Sequence, residues 1–441
     1  MIYNHIIDLI GNTPLLKIDP KVHGLKNFEI YAKLEYYNPF GSLKDRIAWE
    51  MLKSNLDNSI AKQKTILESS SGNTAKALAA LSKIYGLNFK TITNRIKVSE
   101  VRLMLQFLGS EVEELPGLSD CPDPNDPNDP TAIATKIAKQ EPEKWVYTDQ
   151  YFNDLNWKAH YKAGEEIAND LDQVDYYFGV LGTCGSTFGA TKALRDKGHD
   201  TKAIGVVSEA ASWIPGGRNI NELWETGFFD KGFYTEIVSG DIQKAIYGMR
   251  ELNQKHGILA GPTSGLNYAC MIEYLKTIDE QKTNKQNVVF IACDRVEPYI
   301  SYIKKYTPEL FSSNSNTKQT VVQIKQDQIS EEVFITHANL GKNLHDDKAT
   351  LIIDIRGNFA YSIGHVANSI NILDELFSQI IEQGQTLPKN KDIVIVCSVG
   401  KISPKYATFL RNQGYNAFSL EGGINSWKSQ NLPLEKNTLY E

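Results

Sequence analysis

The sequence predicts an α/β fold in two successive parts, each built around a parallel sheet. Three observations carry this expectation. Short runs rich in Val, Ile, Tyr and Phe alternate with helical apolar spacings along the chain. Several of these runs end in glycine- or serine-rich turns that open into a helix. A polar, aperiodic stretch over 306–321 separates residues 1–305 from residues 322–441. A linker of about 15 such residues spans roughly 20 Å root-mean-square.

The bulk numbers bound the function. The chain has 441 residues, a net charge of −6 and 41% hydrophobic residues, an ordinary globular composition for two or three domains. A mildly acidic chain argues against nucleic acid or an anionic membrane as partner. No apolar run is long enough to span a bilayer. Residues Met1–His5 lack the pattern of a signal peptide. Five scattered cysteines without a C-x-x-C pair argue against a disulfide framework or structural zinc, and for a reducing cytoplasm.

Residues Ile10–Leu15 form a turn leading into a strand, and Ile30–Glu35 is a second strand. Asn38-Pro39 and Gly41 then break the chain, and Ser42 is the expected N-cap of a helix carrying Ile47, Met51 and Leu52. Lys44 therefore sits at a helix mouth, where the positive end of the dipole disfavours an ammonium. A neutral amine near pH 7 is what Schiff-base chemistry requires.

Thr65–Glu68 is a short strand, followed by the polar loop Ser69–Thr74 and a helix from Ala75 to about Tyr85. Such a loop offers free N–H groups and hydroxyls to an anion. A strand and helix span Lys90 to Phe107, and the proline-rich segment Cys121–Pro130 reads as a surface excursion. Val174–Leu181 is a strand that runs into Gly182-Thr183-Cys184-Gly185-Ser186 and a helix from Thr187 to about Lys197. A glycine-rich turn in that place is a phosphate cradle, although the Cβ of Cys184 limits its dihedrals. Further strands end at Ile204–Glu209 and Asn287–Arg295, with a turn at Gly261–Gly265 between them.

In the second part, Thr350–Arg356 and Asp392–Val396 are strands, the latter of buried parallel type. Cys397 ends that strand and opens a loop into a helix through Ala407 and Leu410. Converging N–H groups and a helix dipole there suit an anionic sulfur.

The stretch Asn38-Pro39-Phe40-Gly41-Ser42-Leu43-Lys44-Asp45-Arg46 resembles the N-P-x-G-S-x-K-D-R motif of the cysteine synthase and cystathionine β-synthase family, fold-type II enzymes that use pyridoxal 5'-phosphate (PLP). Downstream blocks follow in the family's order. The resemblance implies a two-lobed, tryptophan synthase β-like fold and a homodimer. It implies that Lys44 carries PLP covalently and serves as catalytic base. Ser70, Ser71, Asn73, Thr74 and Gln150 are then contacts to the substrate α-carboxylate, and Asn73 also meets the ring hydroxyl. Gly182, Thr183, Cys184, Gly185 and Ser186 are expected at the cofactor phosphate, and Ser264 beside the ring. Counting back four from Tyr299 puts Arg295 against the ring nitrogen.

The blocks D-x-R at Asp354–Arg356, Gly364-His365-Val366, C-x-x-G-x-x-S at Cys397–Ser403 and Leu420–Trp427 resemble a single rhodanese domain. Cys397 is then a persulfide carrier in a loop of sulfurtransferase length, with Ile402 in place of the common arginine. The two resemblances cover about residues 5–305 and 322–435.

Three functions follow as expectations. The first is β-replacement on O-acetylserine or O-phosphoserine, with sulfur delivered through Cys397. The second, suggested by Arg295, is a nitrogen-nucleophile enzyme like N-(2-amino-2-carboxyethyl)-L-glutamate synthase. The third is a regulatory binding protein with a degenerate synthase domain, against which the intact Lys44 and Asn73 count. The expected partners are small-molecule substrates, with no metal.

Overall fold

The computed structural model describes residues 2–94, 96–115, 129–210, 212–311, 320–345, 350–384 and 387–436. Residues 121–128 of the expected proline-rich excursion and 312–319 of the expected linker lie outside them. The chain divides into two units, Met1–Ser301 and Tyr302–Glu441.

The described residues of the first unit contain ten strands: β1 (Leu15–Lys17), β2 (Phe28–Leu34), β3 (Thr65–Glu68), β4 (Phe89–Thr93), β5 (Glu111–Glu114), β6 (Trp145–Tyr147), β7 (Tyr176–Val180), β8 (Lys202–Ser208), β9 (Glu236–Gly240) and β10 (Gln286–Ala292). Six form one sheet in the order β1-β2-β10-β7-β8-β9, parallel except for the β1–β2 pair. The other four form a parallel sheet in the order β5-β4-β3-β6.

The central strands are apolar on both faces because helices cover both. Alternate residues then enter opposite cores. Val288 and Phe290 of β10 join Phe178 and Ile30 in one, and Val289 and Ile291 join Tyr177 in the other. Each such fully buried side chain contributes roughly 1.5–3 kcal/mol.

The last strand, β10, lies between β2 and β7. The connections leaving β2 and β7 therefore flank the end of β10. In an open α/β sheet such a crevice at the strand carboxyl ends is where ligands bind. The Leu43 N–H donates to the Cys293 carbonyl at 2.9 Å, fastening the first of these connections to the end of β10.

A buried ionic network fixes the helix that follows, Lys44–Lys53. Arg46, only 4% exposed, donates to Glu35 through Nε at 2.7 Å and Nη2 at 2.8 Å, and to both oxygens of Glu166 at 2.7 Å. Lys33 pairs with Glu166 at 2.8 Å and donates to the Thr13 carbonyl at 2.6 Å. Burial alone would raise the Glu35 carboxyl, but Arg46, Thr13 and Lys33 together hold it below its ordinary value. The Asn38 amide donates to the Glu35 carbonyl at 2.7 Å and accepts from the Gly11 N–H at 2.8 Å. Two cations thus meet two carboxylates, and the Gly11–Pro14 turn, β2 and helix Leu155–Asp170 are tied to the residue two places after Lys44.

The described residues of the second unit hold a parallel sheet of β11 (Phe334–Ile335), β12 (Thr350–Asp354), β13 (Ser369–Asn371), β14 (Asp392–Val396) and β15 (Ala417–Leu420), in the order β11-β15-β14-β12-β13. From the central β14, Ile393 and Ile395 pack with Phe377, Tyr406 and Phe409, while Val394 and Val396 pack with Leu340 and Trp427.

Removing one partner of a buried charge set leaves the others uncompensated, at a cost of about 3–5 kcal/mol. Arg46→Met is therefore expected to lower unfolding stability by about that much in chemical denaturation. Arg46→Lys should restore little, because an ammonium cannot make the two forked contacts. A loss under about 1 kcal/mol, the level of an exposed pair, would contradict the assignment.

Candidate active site

Lys44 is the first residue of its helix. Leu43, already helical at φ −58° and ψ −19°, occupies the cap position, so the expected N-cap Ser42 acts one residue earlier. Its hydroxyl accepts from the Lys44 N–H at 3.2 Å and donates to Asp45 at 3.2 Å. Asp45 also accepts from the Phe40 N–H at 2.6 Å, closing the turn. The Lys44 side chain enters a cavity shared with Asn73, Thr183, Ser186, Cys293 and Asp294. Its amine has no ion-pair partner among the described residues. Burial, the largest influence, pulls its pKa down, against the opposing pull of Cys293, Cys184, Asp294 and Glu68.

One wall is the connection from β7 to the helix Gly185–Asp196. The helix starts two residues before the expected Thr187. Cys184 takes the left-handed conformation at φ +66°, unusual for a residue with a Cβ, and turns the chain there. Among the described residues, the N–H groups from Thr183 to Thr187 have no acceptor, and the buried Thr187 hydroxyl has no partner. Gly182 is needed because a Cβ there would stand 2.5 Å from the Gly216 carbonyl oxygen. Asn156 braces the turn by donating to Thr183 Oγ1 at 3.0 Å and to the Gln150 carbonyl at 2.6 Å. The Cys184 side chain does not face the cavity. It is 1% exposed, lies among Leu181, Leu223 and Tyr234, and accepts from the Thr226 hydroxyl at 3.6 Å. Burial pushes its thiol up to about 11. Only its backbone belongs to the site.

The opposite wall follows β3. Thr74 donates to Gln150 Oε1 at 2.7 Å, and the Gln150 amide donates to the Ser69 carbonyl at 3.2 Å. This joins two segments more than 70 residues apart. The Ser70 hydroxyl accepts from the Gly72 and Ala75 N–H groups at 3.3 and 3.4 Å, so it braces the helix start, while Ser71 is exposed. Asn73 donates to Asp294 at 2.7 Å and to the Tyr299 hydroxyl at 3.3 Å.

Two expected ring contacts are corrected. Ser264 is fully buried and its hydroxyl accepts from the Cys293 N–H at 2.8 Å, so it supports the cavity floor while Thr263 lines the cavity. Arg295 is not brought to the cavity: its side chain is 56% exposed and faces Glu297 at 3.5 Å. Beyond the end of β10 the chain sets Cys293 and Asp294 against the cavity and leaves Arg295 outside it. Asp294 is 3% exposed and also accepts from Tyr299, and burial pushes its carboxyl up. Sequence reasoning passed over Thr263, Cys293, Asp294 and Gly216. The Gly216-Gly217 pair after β8 was an available turn signal for the last of these.

The residues present fit a phosphate-bearing aldehyde cofactor. The acceptor-free donors at the start of helix Gly185–Asp196 suit a phosphate, and the unpaired Lys44 amine suits the aldehyde.

In the second unit, Cys397 lies at the end of β14, 5% exposed. Its sulfur accepts from the Ser403 hydroxyl at 3.1 Å, which itself meets Ser419 at 2.8 Å. The Ile424 N–H donates to the Cys397 carbonyl at 3.0 Å. Gly423, at φ +61°, permits this approach, since a Cβ would sit 2.4 Å from that carbonyl oxygen.

Comparison with known proteins finds a family for each part of the chain. The family described as pyridoxal-phosphate dependent enzyme matches residues 6–294, and the rhodanese-like domain matches residues 336–430. A hydrogen sulfide-producing enzyme from Fusobacterium nucleatum is similar at 29% identity and TM-score 0.58, over 68% of this chain and 99% of that one. A cysteine synthase from Entamoeba histolytica is similar at 26% identity and TM-score 0.60, over 69% and 90%. An O-acetylserine dependent cystathionine β-synthase from Helicobacter pylori is similar at 25% identity and TM-score 0.58, over 68% and 98%.

Glu68 gives the site a pH signature. Fully buried beneath the Ser69–Thr74 loop, it accepts from Thr148 and from the Ser69 N–H, and burial pushes its carboxyl up to about 7. A carboxyl raised above its unfolded value stabilises the fold below that value and loses this contribution as pH rises through the folded one. Stability relative to Glu68→Gln should therefore fall between pH about 4.5 and 7 by up to about 3 kcal/mol and level off above. Denaturation midpoints of both proteins at pH 5 and pH 8 check this. A gap that widens in favour of Glu68 at pH 8 would contradict it.

Proposed function

The chain belongs to the pyridoxal-phosphate dependent enzymes, and from that premise we propose that residues 1–305 catalyse β-replacement on an O-activated L-serine. The leaving group is acetate or phosphate, and the reaction is of cysteine synthase type. Sulfur is supplied through Cys397 of a rhodanese-like domain, residues 322–441, joined through 306–321. The observation that carries the reading is the unpaired Lys44 amine in a cavity walled by the acceptor-free N–H groups of the Gly182–Ser186 turn on one side and by Asn73 on the other.

Each residue has a role in this reading. Lys44 would hold the cofactor through its amine and would serve as the base that takes the proton from Cα. The bound cofactor supplies the electron sink for loss of the β-leaving group. The N–H groups of Thr183–Ser186 hold its phosphate. Thr74, Gln150 and the N–H groups of Ser71 and Asn73, which have no acceptor among the described residues, orient the α-carboxylate. Asn73, steadied by Asp294 and Tyr299, orients the ring.

Sulfur carried on Cys397 as a persulfide reaches the β-carbon after a thiol reductant releases it as sulfide, or by attack of the persulfide itself, which leaves a Cys397–S–S–Cβ disulfide for a thiol reductant to cleave. Placing carrier and acceptor in one chain raises the local concentration of each for the other. The working form is taken as a cytoplasmic homodimer acting on small molecules. All four described cysteines are unpaired, which suits a reducing compartment. The nitrogen-nucleophile alternative rested on Arg295, and the exposure of that side chain removes its support.

Lys44→Ala should abolish turnover and covalent cofactor attachment while leaving the denaturation profile near that of the parent. Cys397→Ser should lose cysteine formation from a sulfane-sulfur donor plus reductant, yet retain formation from sulfide. Product mass spectrometry reads both. Normal turnover by Lys44→Ala would overturn the catalytic assignment, and equal loss with both sulfur sources would overturn the relay.

A further inference from the structure

The loop from Cys397 to Ser403 exposes Val399 at 47% and Ile402 at 51%. Isolated exposed apolar residues are commonplace, but these two stand in the loop that frames a nucleophile. The single cation of the loop, Lys401, is an exposed ammonium on a flexible stem. The next cation along the chain is Lys405, part-buried in the first turn of the following helix, and Arg356 stands at the end of neighbouring strand β12, where the Ile355 N–H donates to the Val396 carbonyl at 2.9 Å. Its guanidinium is committed elsewhere. It contacts Asp354 at 2.6, 2.9 and 3.0 Å and the Gly364 carbonyl at 2.8 Å, buried in the sheet. The loop therefore offers a dianion one solvated ammonium, with the Lys405 ammonium in the helix beyond it, and no fixed guanidinium.

The backbone is equipped differently. The N–H groups from Ser398 to Ile402 have no acceptor among the described residues. With the Ser403 hydroxyl 3.1 Å from the sulfur, they form a nest suited to a single negative charge on an outer sulfur atom. A doubly charged sulfonate at the same mouth would be desolvated against Val399 and Ile402 without a charge partner.

We infer that the sulfur donor to Cys397 is a persulfide borne on a thiol, small or protein-bound, and not thiosulfate. The inference rests on the proposed sulfur-carrying role of Cys397. In the step, the Cys397 thiolate attacks the outer sulfur of R–S–SH. The donor S–S bond breaks, R–S⁻ leaves and takes the proton, and Cys397–S–S⁻ forms. One sulfane sulfur moves with no net oxidation or reduction.

The test uses the reduced full-length protein, read by intact mass as a gain of one sulfur on Cys397 in single-turnover time courses. Cysteine persulfide, persulfidated serum albumin and thiosulfate are offered at equal sulfane concentration. Either persulfide should label Cys397 at least about tenfold faster than thiosulfate, and the two persulfides separate small from protein-borne donors. Ile402→Arg, at an exposed position with little folding cost, should raise the thiosulfate-to-persulfide rate ratio by at least about tenfold. Equal labelling of the parent by thiosulfate and persulfide would overturn the donor inference while leaving Cys397 as a carrier. An unchanged ratio in Ile402→Arg would overturn the charge argument. No labelling by any donor would remove the carrier role itself, and the inference with it.

Discussion

The Arg46 guanidinium, buried between Glu35 and Glu166, is the contact on which the first unit depends. A forked cation with two carboxylates has few acceptable geometries, so it fixes the register of the Lys44 helix against β2 and against helix Leu155–Asp170. Lys44 lies two residues away and inherits that precision. The same network takes up Lys33, Thr13 and, through Asn38, the Gly11 turn. The Gly11–Pro14 turn and the Asn38–Arg46 stretch are therefore one structure rather than two motifs. A network of balanced buried charge is weak evidence of net stability; its value here is a single allowed placement for the lysine.

Local features were legible in the sequence, and long-range ones were not. Strands at Thr65–Glu68 and Asp392–Val396 have the expected bounds because their flanking turns are unambiguous. The parallel α/β architecture followed from alternation of periods. Lys44 at a helix start followed from Asn38-Pro39 and Gly41. What escaped was side-chain direction where one element gives way to the next. Asp294 and Arg295 are neighbours just past β10, yet one lines the cavity and the other is exposed. Thr263 and Ser264 are adjacent in a first helical turn, about 100° apart. Counting positions cannot choose between such neighbours. Glu166 escaped because its partners lie 120 and 133 residues earlier.

Both units build their sites from one device. A buried parallel strand ends, the chain turns through a loop of free N–H groups, and a helix begins. In the first unit the device follows β7 and faces Lys44; in the second it follows β14 and surrounds Cys397. Unpaired backbone donors and a helix dipole favour anions in both. The first suits a phosphate and the second a sulfur anion. What differs is the reacting side chain, an amine whose pKa burial lowers in one case and a thiol held by a serine hydroxyl in the other.

The central claim is that the part-buried, unpaired Lys44 is the residue that captures the cofactor aldehyde. Its competitor is Lys76, a part-buried lysine one turn into the helix after Asn73, whose pKa burial also lowers. Borohydride reduction of the cofactor-loaded protein, followed by peptide mass spectrometry, locates the captured group. The account predicts a pyridoxyl adduct on the peptide containing Lys44 and on no other lysine. An adduct on Lys76, or one spread over exposed lysines, would contradict it.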